Sequence, residues 1–250
     1  MAVAATGFFD GVHMGHRKVL GQLCNLARSR GEESIVVSFW PHPRCVLQQD
    51  AAKLRLLTTL EEKKRLCREF GVDRFEVLTF SHEFSMLTAR EFLMQHLVPM
   101  GVTTLILGYD HRLGHDVVDD PARMFEIVRE CGIEPVRVEE FTSAQSASFS
   151  VSSTTIRRML SEGDVRAAAS LLGYAYGIDC SIADRQVLEV QDAMKLIPAV
   201  GDYLVRLSLA FGDTPAVCRI RYDGTIKVVT SGMELQPSSG TARVQFLERC

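Results

Sequence analysis

The sequence has no long apolar run, no paired cysteines and no excess of charge of one sign, and each lack removes a class of protein. No stretch approaches the roughly 18 consecutive apolar residues of a membrane-spanning helix. The opening MAVAATGFFD carries no basic region and reaches Asp10 before an apolar run of signal-peptide length could form, which argues against export. Cys24, Cys45, Cys67, Cys131, Cys180, Cys218 and Cys250 stand singly, with no CxxC pair and no His/Cys ligand spacing. That usage suits a reducing cytoplasm and offers neither a disulfide framework nor a zinc site. With 28 Lys and Arg against 31 Asp and Glu, the formal charge of −3 gives no general attraction to nucleic acid or to a membrane surface. An anion site in this chain must be a local arrangement, and its ligand a small molecule. Internal repeats and low-complexity tracts are also missing. What remains is an ordinary globular chain of 250 residues, 46% hydrophobic, long enough for one larger domain and one small one.

The chain is organised around TGFFDGVHMGHRKVL, residues 6–20. A short apolar strand over 3–6 runs into a glycine-rich turn and emerges as a helix. If that helix starts near Val12 or His13, the i, i+3 spacing puts both imidazoles, His13 and His16, on one face of its first turn. Unpaired backbone N–H groups already favour anions there, and two imidazole donors suit a phosphate. Gly7, Gly11 and Gly15 fit a backbone that turns sharply and lies against a ligand. A plain strand-turn-helix junction with two surface histidines remains the alternative.

A helix over 17–30 closed by Gly31 and a β-branched strand over 34–39 complete a βαβ unit, which implies a parallel pair with a right-handed crossover. At the end of that second strand stands Trp40-Pro41-His42-Pro43, a loop stiffened by two prolines. Ligands bind outside the carboxyl ends of the strands in an open parallel sheet, so His42 is expected on the same edge as His13 and His16. Helices over 60–70, 88–97 and 121–131 and strands over 75–80, 104–107 and 135–141 continue the alternation. The strand over 104–107 runs into Gly108-Tyr109-Asp110-His111-Arg112-Leu113-Gly114, a polar cluster that is either a solvated loop or part of the site. Ser152, Ser153 and Thr154 are cap-type residues opening a further helix with Arg157 and Arg158 in its first turns. Arginines near a helix N-terminus beside three hydroxyls are either solvated or hold an anion. Beyond Tyr176 short alternating segments separated by Gly, Asp and Pro, with a hairpin signal at Asp223-Gly224, predict a small β domain. The expected division is 1–176 and 177–250.

GFFDGVHMGH, SFWPHP, GYDHRLG and SSTTIRRMLSEGDVRAAASLLGYAY, in that order and spacing, resemble the bacterial bifunctional FAD synthetase (riboflavin kinase/FMN adenylyltransferase) family. The resemblance covers most of residues 3–176 and implies an α/β fold: a Rossmann-like HxGH nucleotidyltransferase domain with a parallel sheet, followed by a small β-barrel-like domain. It implies adenylyl transfer from ATP to FMN, giving FAD and pyrophosphate, with Mg²⁺ carried mainly by substrate oxygens and no protein ligand named. On the matching positions it implies that His13 and His16 contact the ATP phosphates and that Arg157 holds the β/γ end that leaves. It further implies nucleotide or flavin contacts for Gly7, Phe9, Asp10, Gly15, His42, Pro43, Asp110, Ser152, Ser153 and Thr154.

This chain departs from the family pattern at three places. Phe8 stands where Asn is frequent, His111 and Leu113 stand where aromatics are frequent, and residues 178–190 (IDCSIADRQVLEV) lack anything like the GRxxGFPTAN segment of the kinase module. The barrel is therefore expected to be degenerate, without riboflavin kinase activity. Two rival readings stay open: a nucleotidyltransferase for another phosphorylated acceptor, and a non-catalytic flavin-nucleotide binder or regulator.

Overall fold

The computed structural model describes residues 1–48, 54–108, 111–116, 121–139, 151–230, 235 and 240–250. The chain forms two compact units, Met1–Leu54 with Leu60–Gln145, and Arg55–Thr59 with Ser146–Cys250.

In the first unit β1 (Ala2–Thr6), β2 (Glu33–Trp40), β3 (Arg74–Thr79), β4 (Val102–Leu107) and β5 (Glu134–Arg137) run parallel in the order β3-β2-β1-β4-β5. Every residue of β1 is buried, as a central strand covered on both faces must be, and AVAAT supplies small apolar and β-branched side chains for that position. From β1 the chain winds to β2 and β3 on one side, then crosses to β4 and β5 on the other. The winding reverses between β1 and β4, which makes a crevice at their carboxyl ends.

The helices of this unit are α1 (Met14–Arg30), α2 (Pro43–Leu47), α3 (Leu60–Phe70), α4 (His82–Ser85), α5 (Ala89–Phe92) and α6 (Pro121–Glu130). On α1 the buried stripe is Leu20, Leu23, Cys24 and Ala27, and the helix stops where Gly31, at φ 65°, takes the left-handed conformation. The helix expected over 88–97 opens with a capping box between Thr88 and Glu91, then widens into a π turn over Leu93–Leu97. There the Val98 N–H reaches back to the Leu93 carbonyl at 2.9 Å. Ala4, Ile35, Val37, Leu105 and Leu107 from the strands bury one face of the sheet against Phe92, Leu97 and Val128.

In the second unit β6 (Gly177–Asp184), β7 (Val187–Val190), β8 (Gly201–Leu209), β9 (Gly212–Ile220), β10 (Ile226–Val228) and β11 (Thr241–Arg249) close an antiparallel barrel, order β10-β7-β6-β11-β8-β9. The expected β domain is thus a closed barrel. The unit begins earlier than 177, because α7 (Ser153–Glu162) and α8 (Val165–Leu172) share its core: Ile156, Leu160, Val165 and Leu172 pack in one apolar cluster with Ile178, Val205 and Phe246. It also takes in Arg55–Thr59. Leu56 pairs with Lys195 as a parallel bridge, and the Lys195 ammonium donates to the Leu57 carbonyl at 2.7 Å.

Tyr176 is 1% exposed, and its hydroxyl donates to the Leu196 carbonyl at 2.6 Å. Tyr176→Phe is expected to destabilise the protein by about 1–2 kcal/mol by stranding that buried acceptor. A thermal or urea melt indistinguishable from wild type would show the bond to be dispensable.

Candidate active site

The turn between β1 and α1 is built from backbone that most residues avoid. Gly7 sits at φ 157°, and a Cβ there would stand 3.2 Å from the Phe9 ring. Phe9 at φ 52° and Val12 at φ 38° are left-handed without being glycine, a conformation that costs about 1–3 kcal/mol at each such residue. Both side chains are buried, as is Asp10 between them. With Val12 left-handed a right-handed helix cannot begin there. The helix therefore starts at Met14 and His13 is its N-cap, outside the first turn in which the sequence placed it.

The two imidazoles meet all the same. Their rings stack with centroids 3.6 Å apart and 15° between planes, and the His16 backbone N–H donates to His13 Nδ1 across 3.4 Å. An accepting Nδ1 carries no proton, so the neutral His13 ring presents Nε2–H as its donor. His16 stands edge-on to Phe9 at 5.2 Å, and its own Nδ1 is buried without a hydrogen-bond partner among the described residues. Burial, then His13, then the nearby Lys63 ammonium hold the His16 imidazole well below the ordinary histidine range.

His42 repeats the arrangement at the end of β2. It is the N-cap of α2, with Pro43 in the first turn, and its Nδ1 accepts from the Arg44 N–H at 3.0 Å, again assigning the proton to Nε2. Its ring meets Phe8 edge-on at 4.1 Å. At the winding reversal, His111 Nε2 lies 2.9 Å from Thr6 Oγ1, tying the loop after β4 to the end of β1. Asp110, the neighbouring candidate, lies outside the described residues.

Beside these groups opens a cavity of about 550 Å³, lined among others by Gly7, Phe39, Pro43, Phe80, Phe84 and His111. Its volume and aromatic wall are those of a small-molecule site. Phe39, Phe84 and Phe92 pack ring to ring with centroids 5.6–6.1 Å apart. Phe39 and Phe80 stand at strand ends on the expected edge, but nothing in their sequence context separates them, or Phe84, from core residues. Lys63, the fourth residue of an ordinary amphipathic helix, is equally unmarked in sequence, and it is fully buried. Its Nζ lies 3.4 Å from the Phe8 ring centroid.

Ser152, Ser153, Thr154 and Arg157 belong to the second unit, at the start of α7. Ser152 is the N-cap, accepting from the Thr155 N–H at 3.2 Å, so its oxygen serves the helix. Arg157 Nε donates to the Arg55 carbonyl at 2.8 Å.

A five-stranded parallel sheet, a winding reversal at its central strand and imidazole-capped helix starts at the strand ends define a Rossmann-like α/β protein. A family model described as FAD synthetase matches residues 1–155. The bifunctional riboflavin kinase/FMN adenylyltransferase of Listeria monocytogenes is 35% identical over 176 residues, 70% of this chain and 54% of the relative. That of Pseudomonas fluorescens is 32% identical over 235 residues, 90% of this chain and 74% of the relative. The FAD synthetase of Listeria monocytogenes is 27% identical over 81% of this chain and 80% of its own length. The chain belongs to the FAD synthetase family, and it spans little more than half the length of the first of these relatives. A crystal structure titled as a macrolide-efflux protein from Streptococcus pneumoniae superposes with a TM-score of 0.86 at 22% identity, over all of this chain and 85% of that one. This is a likeness of fold.

Burial brings the Lys63 ammonium down to about 8 from 10.5, against the opposing pull of Asp10. Between those values the unfolded chain keeps a proton that the folded protein has released, so this group adds stability as pH rises from 8 to 10.5. Lys63→Met is expected to be the more stable protein at pH 7, with an advantage of up to about 3 kcal/mol that fades across that window. Denaturant melts of both proteins from pH 7 to 10.5 check this; a difference independent of pH would contradict it.

Proposed function

We propose that the protein transfers the adenylyl group of ATP to FMN. An oxygen of the FMN phosphate attacks the α-phosphorus of ATP, the bond from that phosphorus to the bridging β oxygen breaks, and FAD and pyrophosphate leave. The acceptor is its own nucleophile, so the protein's task is to align two anions and to stabilise charge on phosphoryl oxygens. The stacked His13–His16 pair at the start of α1 is the observation that carries the reading. His13 offers Nε2–H, and His16 is kept neutral chiefly by burial, with His13 and the Lys63 ammonium acting in the same direction. An arriving phosphate reverses that electrostatic balance and favours a protonated, donating imidazole. Gly7, Phe9 and Asp10 lie in the turn that leads to the pair, and Gly15 stands between the two histidines in the first turn of α1.

The aromatic cavity supports a flat, apolar ring system for the acceptor, with Phe39, Phe80 and Phe84 as its wall, Pro43 in its lining and His42 against Phe8, which lines it too. Asp110, Ser153, Thr154 and Arg157 are proposed as nucleotide contacts on the motif resemblance alone. Arg157 is assigned the leaving pyrophosphate end. Mg²⁺ is proposed to enter on the oxygens of ATP, with no protein ligand assigned. Free thiols at all seven cysteines support a reducing cytoplasm as the setting.

The barrel is proposed to lack riboflavin kinase activity. Where the kinase module would carry its ATP segment, this chain forms the antiparallel pair β6 and β7, with a register shift between Ile182 and Asp184.

With ATP and Mg²⁺ present, chromatography of products from FMN and from riboflavin tests both statements. FAD from FMN and no FMN from riboflavin is the expected pattern. Release of pyrophosphate only with a different phosphorylated acceptor would overturn the substrate assignment, and FMN made from riboflavin would overturn the degenerate-kinase assignment. His16→Ala is expected to lower FAD turnover by roughly two orders of magnitude or more, the scale of one lost transition-state donor. A loss confined to the KM for FMN would remove His16 from that role.

A further inference from the structure

Lys63 is fully buried, and its Nζ has no hydrogen-bond partner among the described residues. Its place on α3 offers an ammonium little, because the first turn of a helix is itself electropositive. What it touches is the face of Phe8, at 3.4 Å from the ring centroid. Contacts of this kind contribute about 0.5–2 kcal/mol, whereas taking an unpaired ammonium out of water costs several kcal/mol. The Asp10 carboxylate and the Cys67 thiol act on Lys63 electrostatically, and Lys63 in turn acts on His16. Asp10 offsets part of the desolvation, without a hydrogen bond to Nζ. As a strut for the turn, then, lysine is a poor choice, and a methionine of the same length would serve better.

The surroundings give the cation another use. Phe8, over whose ring the ammonium lies, also lines the cavity, so Nζ is separated from that space by one side chain, at a single ring's remove. It lies within electrostatic reach of the imidazole pair, with hydrogen-bond donors that the protein does not use. A flexible four-carbon stem can carry a compact charge from an aromatic face to an anion nearby. A phosphate matches what is on offer: several acceptor oxygens, a charge that offsets the buried cation, and a position beside two imidazole donors.

We propose that Lys63 is a phosphate-binding residue of this site, its ammonium moving from the face of Phe8 to a phosphoryl oxygen of ATP on binding. The identity of that anion rests on the adenylyl-transfer reading. In a chain with net charge −3, a cation stored beneath the turn adds positive charge where the anion binds without displaying it on the surface.

The test is calorimetric binding of ATP with Mg²⁺ to wild type and to Lys63→Met, with thermal melting to confirm that the variant is folded. A folded Lys63→Met protein is expected to bind ATP roughly 10- to 100-fold more weakly, the range for one hydrogen bond to a charged group. It should also show a raised KM for ATP in FAD formation. A second measurement needs no variant. At pH 9 wild type is expected to take up a fraction of a proton on binding ATP, read from the dependence of the heat on buffer ionisation, because the phosphate restores the charge that burial weakens. Cys67, whose thiol burial pushes up to about 12, stays protonated in that window and cannot supply the signal. Affinity within threefold of wild type for the variant, or no proton uptake by wild type, would reduce Lys63 to a packing residue. Failure of wild type to make FAD while ATP binding still depends on Lys63 would overturn the adenylyl-transfer reading and leave the phosphate site standing.

Discussion

The strained turn from Gly7 to Val12 is the constraint on which the rest of the site depends. Two non-glycine residues hold left-handed backbone there, and such strain persists only where burial over-determines it. Phe9 and Val12 supply that burial, 5% and 1% exposed, and the Val12 N–H closes the turn on the Phe9 carbonyl at 3.1 Å. The consequence is a fixed start for α1. The helix cannot begin before Met14, His13 becomes its cap, and the capping geometry stacks His13 on His16. The Arg17 N–H to the His13 carbonyl, 2.8 Å, locks the first turn behind them. The same turn carries Phe8 toward His42 and Lys63, and so couples the imidazole pair, the loop after β2 and the buried cation through one short stretch of backbone.

The electrostatics of the site invert those of the whole molecule. The chain is net negative, yet two stacked imidazoles and a buried ammonium lie near one another around the turn, with Asp10 as the counter-charge built into it. Burial holds the proton affinity of both His16 and Lys63 down, and His13 and Lys63 push that of His16 further. An anion that enters reverses both effects, so binding energy and protonation rise together. On the proposed adenylyl-transfer reading this arrangement is prepared for phosphate, which suits a reaction whose catalysis consists mainly of placing charged groups.

Much of this was legible in the residues. The β1-α1-β2 opening, Gly31 as the helix stop, the edge shared by His13, His16 and His42, and a β domain near the C-terminus all follow from period, caps and turn chemistry, and the structure has each of them. What escaped was set by long-range packing. Ile156 and Leu160 look the same in sequence whichever core they join, so nothing local shows that α7 belongs with the barrel, or that Arg55–Thr59 does. The helix start moved by a residue because left-handed Val12 cannot be foreseen in a β-branched side chain. Lys63 sits in LEEKKRLCREF beside Lys64, which pairs with Glu61 at the surface; only the fold tells the buried lysine from the exposed one. The aromatic cavity joins Phe39, Phe80 and Phe84 from three segments of chain, and a sequence motif does not span that. Asp110 is read from its motif and lies outside the described residues.

The central claim is that the α-phosphoryl group of ATP passes to the phosphate of FMN at the edge where His13 and His16 stand. Incubating the purified protein with FMN, Mg²⁺ and ATP labelled at the α-phosphorus tests it most directly. The account predicts label in FAD, with unlabelled pyrophosphate released in equal amount. Label that stays in ATP, or appears only as AMP, would contradict it.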